Sequence, residues 1–228
     1  MILKEVNYLL GIDEAGRGPV IGDMFLVCVA LTEQNEGRLK DIGVKDSKKL
    51  TPSARARLFP KIIEVVDAVV VKRYPPHVID AHNLNDLFVE GVNELVRESF
   101  KLGLKVRRIY IDALSSRKHK TNLLSKLPEG VEVIYEFKAD VKYPIVSAAS
   151  IIAKYLRDQH IRYLHSIYGD FGSGYPSDPK TVEWLKNVAQ TKFLDSRAEI
   201  VRKSWLTIRR LVRKDGSESS NLLKWFKK

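Results

Sequence analysis

An apolar segment that ends in two adjacent carboxylates and a glycine-rich turn is the strongest constraint on the fold of this chain. The segment runs from Tyr8 to Ile12, Asp13 and Glu14 follow it, and Gly-Arg-Gly-Pro occupies residues 16–19. Short apolar runs bounded by turn residues are typical of buried strands, so the pattern predicts a strand that carries two acids to a sheet edge. Neighbouring strand residues point to opposite faces, and the two acids share one site only where the strand stops or bulges.

The turn that follows the acids has the composition of a ligand-binding loop. Gly16 and Gly18 tolerate positive φ and let a ligand approach the backbone, while Arg17 between them offers forked donors to a phosphate. This composition fits a metal or phosphate site. It also fits an ordinary turn with two solvated acids, and these residues alone do not choose between the two.

Alternating strand and helix patterns along the rest of the chain predict an α/β protein. Residues 20–32 read as a second strand, close enough to the first for an antiparallel hairpin. Further strands are predicted at residues 68–73, 107–112 and 131–137, and helices at 84–102, 145–168 and 180–189, with two more that begin at Thr51-Pro52 and Ser115-Ser116. This order indicates a mixed five-stranded sheet with flanking helices and a small helical C-terminal part.

Acidic residues follow three of the predicted strands. Asp13 and Glu14 follow the first, Asp112 ends the fourth, and Asp140 comes three residues after the fifth. Four carboxylates at one sheet edge form a hard oxygen ligand set that suits Mg²⁺ or Mn²⁺ and not zinc or copper. Taken alone, Asp112 fits a helix cap equally well. The sequence contains neither an HExxH pair nor a GxxxxGK[ST] loop.

Charge and cysteine content restrict the class of protein and its partners. The 39 Lys and Arg residues exceed the 28 Asp and Glu residues by 11, which favours an anionic partner such as nucleic acid or a membrane surface. No apolar run reaches the length of a membrane span, and the N-terminus lacks a signal-peptide pattern, so we expect a soluble, cytoplasmic protein. We also expect it to be a monomer. Cys28, the single cysteine, lies in an apolar run and is predicted to be a core residue.

Four motifs occur in a fixed order along the chain. They are DEAGRGP at residues 13–19, KDSKKL at 45–50, YPIVSAASIIAK at 143–154 and GSGYP at 172–176. Together they resemble the motifs of the ribonuclease HII family in its archaeal form, and their co-occurrence is more specific than any single motif. The resemblance implies a ribonuclease-H-like catalytic domain over residues 1–193 and a helical extension with a flexible tail over residues 194–228.

The resemblance also implies an activity and a set of site residues. The expected reaction is hydrolysis of RNA in RNA–DNA hybrids, with cutting on the 5′ side of ribonucleotides embedded in duplex DNA. The implied metal-binding catalytic acids are Asp13, Glu14, Asp112 and Asp140. The implied substrate contacts are the ribose-sensing loop Gly16, Arg17 and Gly18, the junction residue Tyr175, and also Lys45, Lys48 and Ser147.

This set of acids favours hydrolysis by two metal ions. One ion would activate and orient a water molecule, and the other would stabilise the leaving 3′ oxygen, so that a 5′ phosphate and a 3′ hydroxyl result. Recognition of RNA requires a hydrogen bond to the 2′-hydroxyl, which the backbone of Gly16 to Gly18 is well suited to make. The alternative is a non-catalytic nucleic-acid-binding protein. Four carboxylates beside a polyanion would weaken the binding of such a protein.

The C-terminal segment is strongly basic and ends in an apolar cluster. Residues 202–228 contain nine basic and two acidic residues, and Trp205, Ile208, Leu211 and Val212 form the apolar stripe of a predicted basic helix. Further on, Leu222, Trp225 and Phe226 have the spacing of the short peptide with which replication enzymes bind the sliding clamp PCNA. The glutamine expected in that peptide is replaced by Ser219. A tail that folds back onto the core of the protein is the open alternative.

Overall fold

The computed structural model describes residues 6–44, 50–113, 127–190 and 196–214. The chain forms two compact units. The first comprises the described parts of residues 1–15, 25–73 and 84–157, and the second those of residues 16–24, 74–83 and 158–228. The domain boundary expected at residue 193 and the helix expected at Ser115-Ser116 lie outside the described residues and stay predictions.

A mixed five-stranded sheet forms the first unit, as the sequence predicts. Its strands are β1 (Tyr8–Ala15), β2 (Met24–Thr32), β3 (Ala68–Tyr74), β4 (Val106–Asp112) and β5 (Glu132–Glu136). Their order in the sheet is β3-β2-β1-β4-β5. Strand β1 pairs antiparallel with β2, which confirms the predicted hairpin, and parallel with β4, which in turn pairs parallel with β5.

Two strand ends differ from the prediction. Strand β1 continues through Asp13 and Glu14 to Ala15 in regular register with β2, so the strand neither stops nor bulges at the acids. The chain turns at Gly16, whose φ of 87° is a conformation that glycine adopts without a Cβ clash. Strand β2 starts later than predicted because residues 20–23 form a loop, in which Ile21 makes an isolated bridge to Val201.

Helices cover the sheet of the first unit. They are α1 (Glu36–Asp41), α2 (Pro52–Ile63), α4 (Leu84–Lys101), α5 (Ala139–Lys142) and the first part of α6 (Pro144–Tyr168). The hydroxyl of Thr51 caps α2 by accepting a hydrogen bond from the Ala54 N–H at 3.2 Å, as its sequence predicts. Helix α4 packs on the sheet, and its Ser99 Oγ lies 3.7 Å from the sulfur of Cys28 in β2. Cys28 is fully buried, as the sequence predicts.

Helix α6 approaches β1 unusually closely. A Cβ added at Gly11 would lie 2.5 Å from the carbonyl oxygen of Ile145, so only glycine fits at this point of β1. Along the same helix Ala148, Ala149 and Ala153 are fully buried in the core of the unit. Small side chains on both elements therefore fix the distance between the helix and the strand that carries the first two acids.

The second unit is built from helices and loops. It contains α3 (Pro76–Ala81), the end of α6, α7 (Pro179–Gln190), a 3₁₀ helix (Ser196–Ile200) and α8 (Leu206–Lys214). Its core includes Phe171, Leu185 and Ile208, and Trp205 and Leu211 pack against that core. This packing confirms the predicted apolar stripe for Trp205, Ile208 and Leu211, and the side chain of Val212 lies outside the described residues. Within the described part of the chain, no helix is both long and apolar enough to cross a membrane.

Candidate active site

The ends of β1 and β4 bring Asp13 and Asp112 to the same edge of the sheet. The two strands run parallel with Ile12 paired to Ile111, and each of the two acids is the next residue. Asp112 Oδ1 accepts a hydrogen bond from the Ala139 N–H at 2.9 Å, and Asp140 follows Ala139 directly in α5. We call Asp13, Glu14, Asp112 and Asp140 the acid edge. Because β1 stays regular through Asp13 and Glu14, these two neighbouring side chains leave the strand on opposite faces.

Burial and like charges act on the first acid of this edge. Only 5% of Asp13 and 1% of Asp140 are exposed, whereas Glu14 and Asp112 are half-buried. Burial, the neighbouring charge of Glu14 and, to a smaller extent, that of Asp112 hold the pKa of Asp13 well above its usual range. The Glu14 N–H donates a hydrogen bond to Asp13 Oδ1 at 2.7 Å, which fixes the orientation of this carboxylate.

Two residues of α6 act on Asp13 in the opposite direction. Lys154 Nζ donates a hydrogen bond to Ser150 Oγ at 2.8 Å. The Ser150 side chain hydrogen-bonds Asp13, and this bond and the charge of Lys154 both lower the pKa of Asp13. The sequence patterns predicted neither role, because Ser150 and Lys154 entered only as letters of the motif at residues 143–154. The spacing of Ser150 and Lys154, four residues apart on one helix face, is the signal that would have indicated a pair.

The chemistry of the acid edge fits a divalent cation. Its donors are carboxylate oxygens, the hard ligands that Mg²⁺ and Mn²⁺ prefer. A cation would also relieve the repulsion that Asp13 experiences from its acidic neighbours. Within the ranges that the structure describes, no three acidic, imidazole or thiol side chains converge closely enough to hold a metal ion. The acid edge is therefore a set of candidate ligands and not a preformed cage.

In the second unit, the glycine loop lies against Tyr175. A Cβ added at Gly18 would be 3.6 Å from Tyr175 Cε1, an ordinary van der Waals distance, so the ring lies directly beside the loop. The Gly174 carbonyl accepts hydrogen bonds from the N–H groups of Val20 at 2.8 Å and Ile21 at 3.2 Å, which joins the two segments. Tyr175 is 38% exposed. The structure thus brings together two of the predicted substrate-binding segments.

Asp178 holds the segment that carries Tyr175. Its Oδ2 accepts hydrogen bonds from the N–H and the hydroxyl of Ser173, both at 2.7 Å, and its Oδ1 accepts one from the Lys180 N–H at 3.0 Å. The two bonds from Ser173 are the main reason that the pKa of Asp178 is lowered to about 2. Thr181 Oγ1 also accepts a hydrogen bond from the Gly174 N–H at 3.0 Å.

Arg202 and Trp205 hold the glycine loop from inside the second unit. Arg202 is fully buried, and its guanidinium donates hydrogen bonds to the carbonyls of Gly16 and Arg17. Trp205 Nε1 donates to the Gly18 carbonyl at 3.2 Å. We call Gly16–Gly18, Gly174, Tyr175, Arg202 and Trp205 the loop frame. In the sequence, Arg202 counted only as one of the basic residues of the C-terminal segment. Its position directly after the apolar pair Ile200-Val201 is the signal that could have indicated a buried arginine.

The remaining predicted site residues are Lys45, Lys48, Ser147 and three residues of the tail. Lys45, Lys48 and the tail residues Leu222, Trp225 and Phe226 lie outside the described residues. Ser147 is 1% exposed, and its hydroxyl has no hydrogen-bond partner among the residues that the structure describes. The substrate contacts predicted for Lys45, Lys48 and Ser147, and the partner contact of the tail, therefore stay predictions.

Comparison with known proteins identifies relatives over nearly the whole chain. The family model of ribonuclease HII matches residues 10–208. A ribonuclease HII of Pyrococcus horikoshii is 42% identical over 221 residues, which cover 95% of this chain and 98% of the relative.

Solved structures agree with this match. The crystal structure of ribonuclease H2 from Pyrococcus horikoshii OT3 has a TM-score of 0.80 and 42% identity, and covers 91% of this chain and 98% of that one. A structure of the PCNA:RNase HII complex from Archaeoglobus fulgidus has a TM-score of 0.75 and 35% identity. The match covers 93% of this chain and 98% of that one. Bst-RNase HIII in complex with Mn²⁺ shares the fold, with a TM-score of 0.78 and 19% identity. The match covers 92% of this chain and 71% of that one. This chain therefore belongs to the ribonuclease HII family and is a ribonuclease H, an endonuclease that depends on divalent metal ions.

Proposed function

We propose that this ribonuclease H cuts the RNA strand of RNA–DNA hybrids and cuts duplex DNA on the 5′ side of embedded ribonucleotides. The products are a 5′ phosphate and a 3′ hydroxyl. One observation carries the proposal: β1 delivers Asp13 to the acid edge, and the same chain continues after Ala15 into a glycine loop that lies against Tyr175. Groups suited to phosphodiester hydrolysis and groups suited to ribose recognition thus follow one another on a single segment.

We propose that the acid edge holds two divalent cations, Mg²⁺ or Mn²⁺. When bound, the ions activate the attacking water and stabilise the leaving 3′ oxygen. The protein contributes by orienting the carboxylates. The Ala139 N–H holds Asp112, and the Ser150 hydroxyl and the Glu14 N–H hold Asp13, so these oxygens are positioned before substrate binds.

We propose that the loop frame recognises the ribonucleotide. Backbone groups of Gly16 to Gly18 hydrogen-bond the 2′-hydroxyl, because no side chain at either glycine blocks the approach of a sugar. The half-exposed ring of Tyr175 packs on the sugar at the RNA-to-DNA junction and so positions the scissile phosphate. Lys45 and Lys48 bind phosphates without reading sequence, and Ser147 is a further proposed contact.

A binding protein without catalysis is a weaker explanation of the same residues. Its basic surface would attract nucleic acid, but four carboxylates at one sheet edge would repel the phosphates. Membership in a ribonuclease family also favours catalysis. We further propose that the enzyme acts as a cytoplasmic monomer in DNA replication and repair, where its substrates arise; light scattering during size-exclusion chromatography tests the oligomeric state.

Cleavage of three matched duplexes tests the proposal. One duplex carries a single embedded ribonucleotide, the second has the same sequence in DNA alone, and the third is a long RNA–DNA hybrid. We expect a single cut on the 5′ side of the ribonucleotide, several cuts in the hybrid and none in DNA, with Mg²⁺ or Mn²⁺ required and a chelator abolishing all cutting. Cutting of the DNA duplex at a comparable rate, or full activity in the chelator, would contradict the proposal.

We also propose that the C-terminal tail binds the sliding clamp PCNA. The spacing of Leu222, Trp225 and Phe226 supports this partner, and so does the Archaeoglobus fulgidus relative, whose structure is that of a complex with PCNA. Titration calorimetry with the cognate clamp should show binding by the wild type and loss of most affinity on the double change Trp225→Ala and Phe226→Ala, because aromatic anchors dominate small interfaces. Leu223→Ala is the matched control. Binding of the double variant with the same affinity as the wild type would contradict this proposal.

A further inference from the structure

The three carbonyl groups of the glycine loop all accept hydrogen bonds from two side chains of one distant segment. Arg202 Nη2 donates to the Gly16 oxygen at 2.6 Å, and Nη1 donates to the Arg17 oxygen at 3.1 Å. Trp205 Nε1 donates to the Gly18 oxygen at 3.2 Å. The third nitrogen of the guanidinium, Arg202 Nε, donates to the Gly22 oxygen at 2.8 Å, a few residues further along the chain. Arg202 and Trp205 therefore hold the carbonyls of Gly16, Arg17 and Gly18 and, at the far end, that of Gly22.

This arrangement determines where the N–H groups of the loop point. In a trans peptide the C=O and N–H bonds point in opposite directions, and the described residues contain no cis peptide bond. The peptide of the Gly16 carbonyl carries the N–H of Arg17, and that of the Arg17 carbonyl carries the N–H of Gly18. Because both carbonyls point towards Arg202, both N–H groups point away from it.

Holding a guanidinium in this place is costly, and the surrounding contacts keep it there. Arg202 is fully buried, and removal of a charge from water is unfavourable unless its donors find acceptors. The Trp205 ring lies 5.1 Å from the guanidinium carbon. The Arg202 N–H donates to the Val20 carbonyl at 2.8 Å. Asp80 fixes the next turn by accepting hydrogen bonds from the N–H groups of Lys203 at 2.8 Å and Ser204 at 2.9 Å.

We propose that Arg202, together with Trp205, is a positioning residue for ribonucleotide recognition. It acts by turning the N–H groups of Arg17 and Gly18 towards the 2′-hydroxyl of the substrate. A lysine cannot replace it, because a single ammonium group lacks the planar fork that reaches three carbonyls at once. This inference rests on the proposed ribose-sensing role of the loop. It adds that side chains outside the four sequence motifs hold the loop in the conformation that this role requires.

The test separates recognition of the ribose from general damage to the protein. The KM for a duplex with one embedded ribonucleotide is compared with the Ki of the same duplex made of DNA alone, used as a competitive inhibitor. Their ratio, Ki over KM, reports the 2′-hydroxyl contact, whereas a merely structural loss lowers kcat and leaves the ratio unchanged. We expect Arg202→Lys to reduce this ratio about tenfold, equivalent to about 1.4 kcal/mol, with the Ki for DNA unchanged.

Two further variants make the test decisive. Trp205→Phe keeps a ring beside the guanidinium but removes the donor to Gly18, and we expect a reduction of about threefold, the loss of roughly one hydrogen bond. Arg209→Lys changes an exposed arginine of α8 in the same way and should leave the ratio at the wild-type value. If thermal unfolding shows that Arg202→Lys does not fold, the ratio measured for Trp205→Phe decides whether the positioning role holds.

The outcomes distinguish this inference from the proposed function. A wild type that cuts beside the ribonucleotide and prefers it, with Ki over KM unchanged in Arg202→Lys and in Trp205→Phe, overturns the positioning role alone. A wild type that neither cuts nor prefers the ribonucleotide duplex overturns the proposed function, and the inference falls with it. Reduced ratios in both variants, with Arg209→Lys unchanged, support the positioning role.

Discussion

The acid edge and the loop frame are built in different ways. The acid edge lies at the ends of β1 and β4 and at the start of α5, where a regular strand ladder sets the positions of the backbone. The loop frame joins three segments that are far apart in the chain, around residues 16–22, 172–181 and 200–205. Side chains that bind backbone groups and backbone hydrogen bonds to the Gly174 carbonyl hold these segments. In one region the side chains are the proposed metal ligands, and in the other they support the backbone.

This difference predicts two kinds of sensitivity to mutation. At the acid edge the identity of a side chain matters, because a neutral amide of the same shape lacks the charge that a cation requires. In the loop frame the geometry of the backbone matters, because small displacements of donors are costly for recognition. Changes at the acid edge should therefore stop turnover on every substrate, and changes in the loop frame should affect substrates that contain a single ribonucleotide most strongly.

The largest effect is expected from Asp112→Asn. The amide oxygen can still accept the hydrogen bond from the Ala139 N–H, so the fold and the binding of hybrids should be retained. Loss of the charge should lower kcat by about 10²- to 10³-fold on all substrates, the cost of removing one group that stabilises charge in the transition state. Initial rates with Mg²⁺ on the single-ribonucleotide duplex and on the long hybrid measure this effect.

Asp41→Asn is the control for that variant. Asp41 is an exposed acid at the end of α1, so the same chemical change there should leave both rates within about twofold of the wild type. Near-normal turnover by Asp112→Asn in Mg²⁺ would remove this residue from the acid edge and would end the distinction between the two regions.

Tyr175→Ala should have the next largest effect, and it should depend on the substrate. Without the ring that lies beside Gly18, the sugar at the junction is misplaced, and the rate on a single embedded ribonucleotide should fall about 10- to 100-fold. Tyr175→Phe keeps the ring and should retain most of the rate. Tyr163→Ala removes a tyrosine of α6 that is 61% exposed and serves as control. Unchanged rates in Tyr175→Ala would exclude Tyr175 from the site.

The two regions also differ in how well the sequence predicts them. The strands, the longer helices and the position of Asp112 at a strand end follow from local patterns of apolar residues and from turn signals. Their boundaries were less accurate: β1 extends through both acids because its pairing with β2 continues to Ala15, and the short helix α3 was not predicted.

The support of the loop frame could not be read from local patterns. The hydrogen bond from Arg202 to the Gly16 carbonyl joins residues 186 positions apart, and no spacing rule connects them. The arginine itself lies in a strongly basic segment, in which one more positive charge is not distinctive. The motif resemblance predicted the loop and Tyr175, but it contains no information about the buried side chains that hold them.

Gly11→Ala should moderately lower the free energy of unfolding, because it disturbs the packing of the first unit. The added Cβ would lie 2.5 Å from the Ile145 carbonyl oxygen, so α6 or β1 must shift, and overpacking of this kind costs about 1–3 kcal/mol. Because β1 carries two acids of the acid edge, activity should fall on all substrates alike. Denaturant unfolding monitored by fluorescence measures the free energy of unfolding.

Gly37→Ala provides the matched control for this glycine. A Cβ at Gly37 would have no neighbour within 4 Å, and the residue lies in α1, where alanine is the better helix former by up to about 1 kcal/mol. This variant should be as stable as the wild type or slightly more stable. Equal stability of Gly11→Ala and Gly37→Ala would show that the close approach of α6 to β1 is not required.

The smallest effect is expected from Asp178→Asn, and it should depend on pH. In the folded protein the pKa of Asp178 is lowered to about 2 from its usual 3.8, because Ser173 donates two hydrogen bonds to the ionised carboxylate. A depressed pKa contributes stability that is complete above the unfolded value and disappears as the pH falls through the folded value. The melting temperature of Asp178→Asn should therefore lie below that of the wild type near neutral pH, and the difference should shrink as the pH is lowered from about 4 towards about 2. A difference that stays constant over this range would mean that the charge of Asp178 does not hold the segment of Tyr175, and that shape alone supports this part of the loop frame.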